Sequence, residues 1–273
     1  MRVTQQMLHQ NSVRHMNQNL NRFEKTNSQV ASGKLLERPS DDPHGVSKAM
    51  SLKSSLAANG QYEKNIDEAK LWLDETDQTI GQMTDVMQRV RELAVKGNNG
   101  TLAAEDREAI AKEISELSKQ LEQFSNAKLD GRNLFGEGAA GQRTFTISNG
   151  ILLTANVSKQ VLFGNAESGL LASAASWAGK ISKGEEAPLN EIDAAFQQLL
   201  SVQAEVGVRT NRVDAFENRL LDNNLQLKKM ISSVEDVDYA EAMIRLKSEE
   251  SVYQASLAAS AKIIQPNLMD FLR

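Results

Sequence analysis

The sequence has no cysteine, only four prolines and an aromatic content of 5%. The missing cysteine excludes disulfides and thiolate chemistry and leaves the compartment open. With so few helix breakers and so few strand-favouring aromatics, the abundant Ala, Leu, Gln, Glu, Lys and Ser favour helix over sheet. A basic stripe is lacking too. The net charge is −5, with the two signs interspersed, which argues against a nucleic-acid binder. No apolar run approaches the roughly 20 residues of a membrane span. The stretch Met1–Gln10 has no apolar core of the kind a signal peptide needs, so the expectation is a soluble chain that, if exported, leaves by another route. What is present is a chain of 273 residues, 40% hydrophobic and 25% charged. That is enough to bury a core in one or two domains.

Counting in sevens organises most of the sequence. From Leu52 the steps reach Asn59, Ile66, Leu73, Ile80, Met87 and Ala94. A companion row runs through Tyr62, Ala69, Thr76, Met83 and Val90. Alternating spacings of three and four predict a coiled-coil-like helix over 46–96, on the order of 75 Å long at ~1.5 Å per residue. Lys96-Gly97-Asn98-Asn99-Gly100 ends it. Thr101 is then placed to cap a second helix that folds back antiparallel, with Ala103, Ile110, Leu117 and Phe124 in one row and Ile114 and Leu121 in the other. Val213, Leu220, Leu227 and Val234 mark a third helical run from Pro188 or Asn190, beside Phe216, Asn223, Met230 and Val237. After Asp238 the frame shifts and a seam continues through Tyr239, Met243, Leu246, Tyr253, Leu257 and Ile264. The N-terminal counterpart is Val13, Met16, Leu20, Phe23 and Val30.

Between about 136 and 180 the period changes. Thr144–Ser148 and Ile151–Val157 alternate around Asn149-Gly150, the signature of a hairpin with a type I′ turn. Val161–Gly164 is a candidate further strand, and the Gly/Ser/Ala stretch around Trp177 reads as loose. The fold class expected is therefore mainly α: a long antiparallel helical bundle or coiled coil formed by both chain ends, with a small β-rich insert. The segments expected are 1–45 and 238–273 for the terminal coiled coil, 46–138 and 186–237 for the bundle, and 139–185 for the insert. Ten of the first thirty residues are Asn or Gln, so the terminal seam is thin. Ordering it costs about 1–2 kcal/mol per residue of backbone entropy, which implies that the termini order only against partners.

No catalytic, cofactor or metal site emerges. Gly136-Glu-Gly-Ala-Ala-Gly141 has dinucleotide-loop spacing, but it lies between a turn and a hairpin strand rather than between a strand and a helix. His9 and His15 are six apart, on different helix faces, and His44 stands alone. Asp41-Asp42, flanked by Pro39 and Pro43, suits a rigid turn and a helix cap better than acid–base chemistry. The sequons at Asn99 and Asn156 lack a secretory signal.

Several blocks resemble one family. Gln29-Val-Ala-Ser-Gly-Lys34, the turn Arg38-Pro39-Ser40-Asp41-Asp42-Pro43 with His44-Gly45, Trp72-Leu-Asp-Glu-Thr-Asp77 and Gly131-Arg-Asn-Leu-Phe135 are similar to the N-terminal signature of the bacterial flagellin superfamily. Gly207-Val-Arg, Ser251-Val-Tyr-Gln-Ala255 and Leu268-Met-Asp-Phe-Leu272 are similar to its C-terminal one. The opening Met1-Arg-Val-Thr4 and the Arg38–Pro43 turn look more like the hook-associated branch than the filament subunits.

The resemblance implies a non-enzymatic, extracellular subunit of the bacterial flagellum, exported without a cleaved signal through the type III apparatus. Its terminal helices would form an inner coiled-coil tube, and its insert would project outward. The implied partners are further copies of itself in a ring, the first hook-associated protein, flagellin, and an export chaperone on the C-terminal segment; neither membrane nor nucleic acid is implied. In this reading the two terminal seams assemble between subunits. Ile66, Leu73, Ile80, Met83, Met87, Val90, Ile110, Ile114, Leu117, Leu121, Val213, Phe216, Leu220 and Leu227 hold each subunit's own bundle. A filament subunit, or a soluble coiled-coil secretion-tip or signalling protein, are the alternatives.

Overall fold

The structure, a computed structural model, describes residues 2–100, 102–136, 141–164 and 169–264. The elements run α1 (Arg2–Ser32), α2 (Pro43–Gly97), α3 (Ala104–Ser125), β1 (Lys128–Leu129), β2 (Arg132–Asn133), β3 (Thr144–Ser148), β4 (Ile151–Thr154), α4 (Lys159–Phe163), α5 (Leu170–Ser182), α6 (Leu189–Glu235) and α7 (Tyr239–Ile264). They form two compact units. One holds Met1–Ala57 with Asn224–Arg273, the other Ala58–Asn223; α2 and α6 contribute to both.

The start of α2 is written in its first residues. Asp42 stands before Pro43, and its Oδ1 accepts from the His44 N–H at 3.1 Å, satisfying a donor that the helix cannot. Pro43 at the first helical position gives up nothing, because its missing N–H would have had no partner there. The residue expected to cap α3, Thr101, lies outside the described residues. The break before α7 is marked by Asp238, whose Oδ1 accepts from the Ala240 N–H at 2.9 Å and the Glu241 N–H at 3.3 Å. This break and cap coincide with the frame shift seen in the seam.

In the Ala58–Asn223 unit the bundle rows close on one core. Ile66, Leu73, Ile80, Met83, Met87, Val90, Ile114, Leu121, Val213 and Leu220 are buried, while Ile110, Leu117 and Phe216 are partly buried against them. Leu227 is half-buried and belongs to the other unit. A third row on α2, Trp72, Thr79, Val86 and Leu93, is buried as well, so α2 is covered over more than a two-row seam. Its hydroxyls are satisfied locally. Thr76 Oγ1 donates to the Trp72 carbonyl at 2.6 Å and Thr79 Oγ1 to that of Glu75 at 2.8 Å. The Val213 row extends backwards through Val206, Leu199 and Ile192, all buried. Lys70 bridges to Asp214 at 2.7 Å and to Glu217, and Arg91 bridges to Asp193 at 2.5 Å. Higher residues of α2 thus meet lower ones of α6, and the two helices run antiparallel.

The insert differs from expectation in three ways. Val161–Gly164 does not add a strand: Lys159–Phe163 is the short helix α4, with Leu162 and Phe163 buried. The stretch around Trp177 is not loose but helical; α5 buries Leu170, Ala174, Trp177, Ala178 and Ile181 and packs on α3. Small residues here serve close helix packing, and Gly97 approaches Ile181 so tightly that a Cβ would stand 3.0 Å from its Cγ2. The hairpin β3–β4 forms as expected, but only Gly150 has a positive φ, so its turn is not type I′. The two-residue turn with both positions left-handed sits at Asp130-Gly131 (φ 51° and 73°), joining β1 to β2.

The hairpin also does not stand apart from the helices. Phe145, Ile147 and Leu153 belong to the common core. Asn65 Nδ2 on α2 donates to the Thr146 carbonyl at 2.7 Å, and Arg209 on α6 donates to those of Thr154 and Asn156 at 3.1 and 3.0 Å. Arg143 pairs with Glu68 and places its guanidinium 4.8 Å from the Trp72 ring centre and 5.1 Å from that of Phe145. The insert is clasped by the helices of its own bundle.

Candidate assembly surface at the chain ends

The unit Met1–Ala57 with Asn224–Arg273 brings the two chain ends together. α1 packs on α7, and the pairings fix the direction. Ser12 Oγ lies 2.8 Å from Ser260 Oγ, the Phe23 and Tyr253 rings stack at 6.2 Å with a 7° interplanar angle, and Gly33 meets Tyr239. Rising numbers on one helix meet falling numbers on the other, so the pair is antiparallel. The end of α1 depends on Gly33, whose φ of 72° is left-handed and whose N–H bonds the Gln29 carbonyl at 3.0 Å. A Cβ there would also stand 2.7 Å from the Tyr239 hydroxyl.

The terminal seam is only partly consumed by this pairing. Val13, Met16, Leu20, Phe23, Val30, Leu246 and Tyr253 are half-buried. Tyr239, Met243 and Leu257 stay exposed at 57%, 52% and 41%. The side chain of Ile264 lies outside the described residues. Two further apolar side chains on α7, Ile244 at 73% and Val252 at 48%, are exposed although the heptad count did not include them. What α1 and α7 bury completely is small or polar: Thr26, Gln29, Ala242 and Ser260.

The Arg38–Pro43 turn is closed by its own acids. The Asp41 N–H bonds the Arg38 carbonyl at 2.9 Å, and the Arg38 N–H returns to Asp41 Oδ2 at 3.1 Å. Asp41 Oδ1 takes Lys25 of α1 at 2.7 Å. This side-chain hydrogen bond holds the Asp41 carboxyl below its ordinary pKa. Pro39, Ser40 and Pro43 are exposed, and the two prolines rigidify the loop. Just before it, Ser32 and Ser28 both donate to Glu37, which lowers that carboxyl in turn.

Sequence reasoning missed the residue on which these segments converge. Glu235, at the end of α6, is 6% exposed. It takes Lys34 at 2.8 Å from the linker after α1 and Lys53 from α2. Its backbone carbonyl accepts from the Leu35 N–H at 2.7 Å, and the Val237 N–H bonds the Gly33 carbonyl at 3.0 Å. The hydrogen bonds from the two lysines, Lys34 first, hold the Glu235 carboxyl below its ordinary value despite burial. Partners some 200 residues apart left no periodic signal to find.

The remaining sequence candidates resolve structurally. A Cβ on Gly136 would meet Asn156 Nδ2 and the Gly141 carbonyl, each at 2.6 Å, so this glycine serves a close approach of protein to protein. Asn156, at 4% exposure, accepts from the Arg143 N–H at 2.8 Å and donates to Gly141. That sequon is a structural clip. No group of three or more His, Cys, Asp or Glu able to hold a metal occurs among the described residues, and no helix there is long and apolar enough to cross a membrane.

Paired terminal helices with a partly open apolar seam, together with a bundle that has its own core, define a helical structural subunit. The comparisons with known proteins give its family. The bacterial flagellin N-terminal helical region matches residues 3–139 and the C-terminal helical region matches 189–272. The chain belongs to the bacterial flagellin family. It is a structural component of the flagellum and not an enzyme. It is 27% identical over 260 residues to the flagellar filament 33 kDa core protein of Treponema phagedenis, covering 89% of this chain and 88% of that one. It is 33% identical over 149 residues to flagellar hook-associated protein 3 of Escherichia coli, covering 54% of this chain and 45% of that one. The crystal structure of Bacillus cereus FlgL shares the fold with a TM-score of 0.58 at 21% identity, over 67% of this chain and 99% of that one.

Proposed function

We propose that this chain is the subunit of the ring that joins the flagellar hook to the filament, bound to the first hook-associated protein on one side and flagellin on the other. What supports the reading is the Arg38–Pro43 turn, whose sequence resembles the hook-associated branch, together with the 33% identity to hook-associated protein 3 over 149 residues. In this reading the chain works outside the cell, after export with a chaperone on its C-terminal segment. The seam of Val13, Met16, Leu20, Phe23, Val30, Tyr239, Met243, Leu246, Tyr253, Leu257 and Ile264 completes its burial against neighbouring subunits. The segments 1–45 and 238–273 are the polymerising part, 46–138 and 186–237 the bundle, and 139–185 the insert between them.

A filament role is the second reading, favoured by the match to a filament core protein over nearly the whole chain. Immunogold labelling of isolated flagella separates the two. A single labelled band between hook and filament is expected, and label along the filament overturns the junction role. Within the proposal, Leu257→Glu is expected to abolish incorporation into flagella while leaving the helical circular dichroism of the free chain unchanged, because Leu257 is already 41% exposed. Leu220→Glu should do the reverse and lower the melting temperature, because it puts a charge into a site 8% exposed. If the Leu257→Glu chain assembles normally, the division between terminal seam and bundle core is wrong.

A further inference from the structure

In the Ala58–Asn223 unit, α2 carries a second seam directly opposite its buried rows. Gly60, Asp67, Asp74 and Gly81 are seven apart, with Leu71 between them at 56% exposure. The two glycines have no packing reason inside the chain, since a Cβ at either would meet nothing within 4 Å. A glycine in a helix interior costs roughly 0.5–1 kcal/mol relative to alanine. Small residues at heptad spacing let another helix come close. Asp67 and Asp74 are exposed and make no ion pair among the described residues.

α6 presents the complement. Opposite its own buried row lie the exposed Ala204, Val208 and Ala215, with Val208 at 67%. Arg212 and Arg219 edge this strip, also seven apart. Arg219 has no carboxylate partner among the described residues, and Arg212 rests only on the Phe216 ring at 5.8 Å.

We infer that the outward seam of α2 in one copy packs on the outward strip of α6 in the next, with Asp67 and Asp74 opposite Arg219 and Arg212. The register follows from the chain itself. Lys70–Asp214 and Arg91–Asp193 fix how far along antiparallel α2 and α6 face each other inside one subunit. Copies turned about an axis parallel to these helices, at equal height, keep that relation between neighbours. Asp67 then falls within two residues, about 3 Å along the axis, of the level of Arg219, Asp74 of Arg212, and Leu71 of Ala215, a gap that the long arginine side chains span. The contact joins two different faces, so it repeats from copy to copy and gives a ring or an open helix instead of a closed pair. Opposite charge sets the register and disfavours the α2–α2 alternative, where aspartates would meet.

This inference rests on the proposed role as an assembled subunit, and the test separates the two. The chain has no cysteine, so Leu71→Cys and Ala215→Cys introduce the only thiols. Isolated flagella carrying the double variant, oxidised mildly, should give a ladder of covalent multimers, while either single variant stays monomeric. Adding Asp67→Arg and Asp74→Arg should reduce the ladder by about tenfold, and further addition of Arg212→Asp and Arg219→Asp should restore it. Double variant present in flagella without a ladder, or dimers from Leu71→Cys alone, overturns the contact and leaves the structural role standing. Absence of the unaltered chain from flagella overturns both. The exchanged side chains are all exposed, so a circular dichroism melt matching the parent is expected throughout.

Discussion

Trp177→Ala is expected to destabilise the Ala58–Asn223 unit by about 3–5 kcal/mol. The indole is 1% exposed and sits on α5, a helix whose other residues are mostly small. Its neighbours on that helix, Ala174 and Ala178, have no side-chain length with which to fill the hole. The indole Nε1 also donates to Glu191 Oε2 at 3.1 Å across to α6, so the substitution removes a link between elements as well as volume. Trp177→Phe keeps most of the ring and should lose less than half as much. Urea unfolding followed by circular dichroism checks both. A loss below about 1 kcal/mol for the alanine variant would mean that α5 is not part of the cooperative core.

Glu235→Ala should weaken the unit formed by the chain ends by about 1–2 kcal/mol at neutral pH. A hydrogen-bonded buried carboxylate is worth somewhat more, but Lys34 and Lys53 are about half exposed and water screens them. The pH dependence has a definite sign. The folded Glu235 carboxyl lies below its ordinary value of 4.5, so its contribution is fully present above that value. It fades as pH falls through the folded value, where the unfolded chain binds the proton first. Parent and Glu235→Gln chains should therefore differ clearly at pH 6 to 7 and converge in acid. Asp41 and Glu37 are lowered too and fade over the same range in both chains, so only the difference between the two curves reports Glu235. Parallel curves down to strong acid would show that the Lys34–Glu235–Lys53 cluster carries no stability. Since Glu235 touches the linker after α1, the first turns of α2 and the residues leading into α7, hydrogen exchange should speed up at Gly33–Leu35 and Val237 together.

Seven-residue counting read the long helices well because burial there is one-sided and repeats along the axis. α2 and α6 begin within a few residues of their expected starts, and the rows around Ile80 and Val213 are the buried ones. The third row, Trp72, Thr79, Val86 and Leu93, was not legible because Thr79 interrupts it and because it only widens the same buried sector beyond a two-row seam. The insert misled for a related reason. Val161–Phe163 is a short apolar run, and such runs fit strand and helix equally until a neighbour decides. The alanine- and serine-rich stretch around Trp177 has almost no periodic contrast, yet α3 and Gly97 offer a close-fitting surface that only a helix with small residues can use.

The sequence by itself determined that this protein is helical, that its ends pair through thin seams, and that it belongs with the flagellin family. Each of those depends on local spacing or on the caps at Asp42 and Asp238, which are properties of neighbouring residues along the chain. Only the tertiary structure decided which side chains the seams leave open, that the hairpin is clasped by Asn65, Arg143 and Arg209, and that Glu235 ties the chain ends with two lysines. Those depend on charges and hydrogen bonds between residues far apart in the chain. Such pairs become strong only once folding brings them together and removes the water between them.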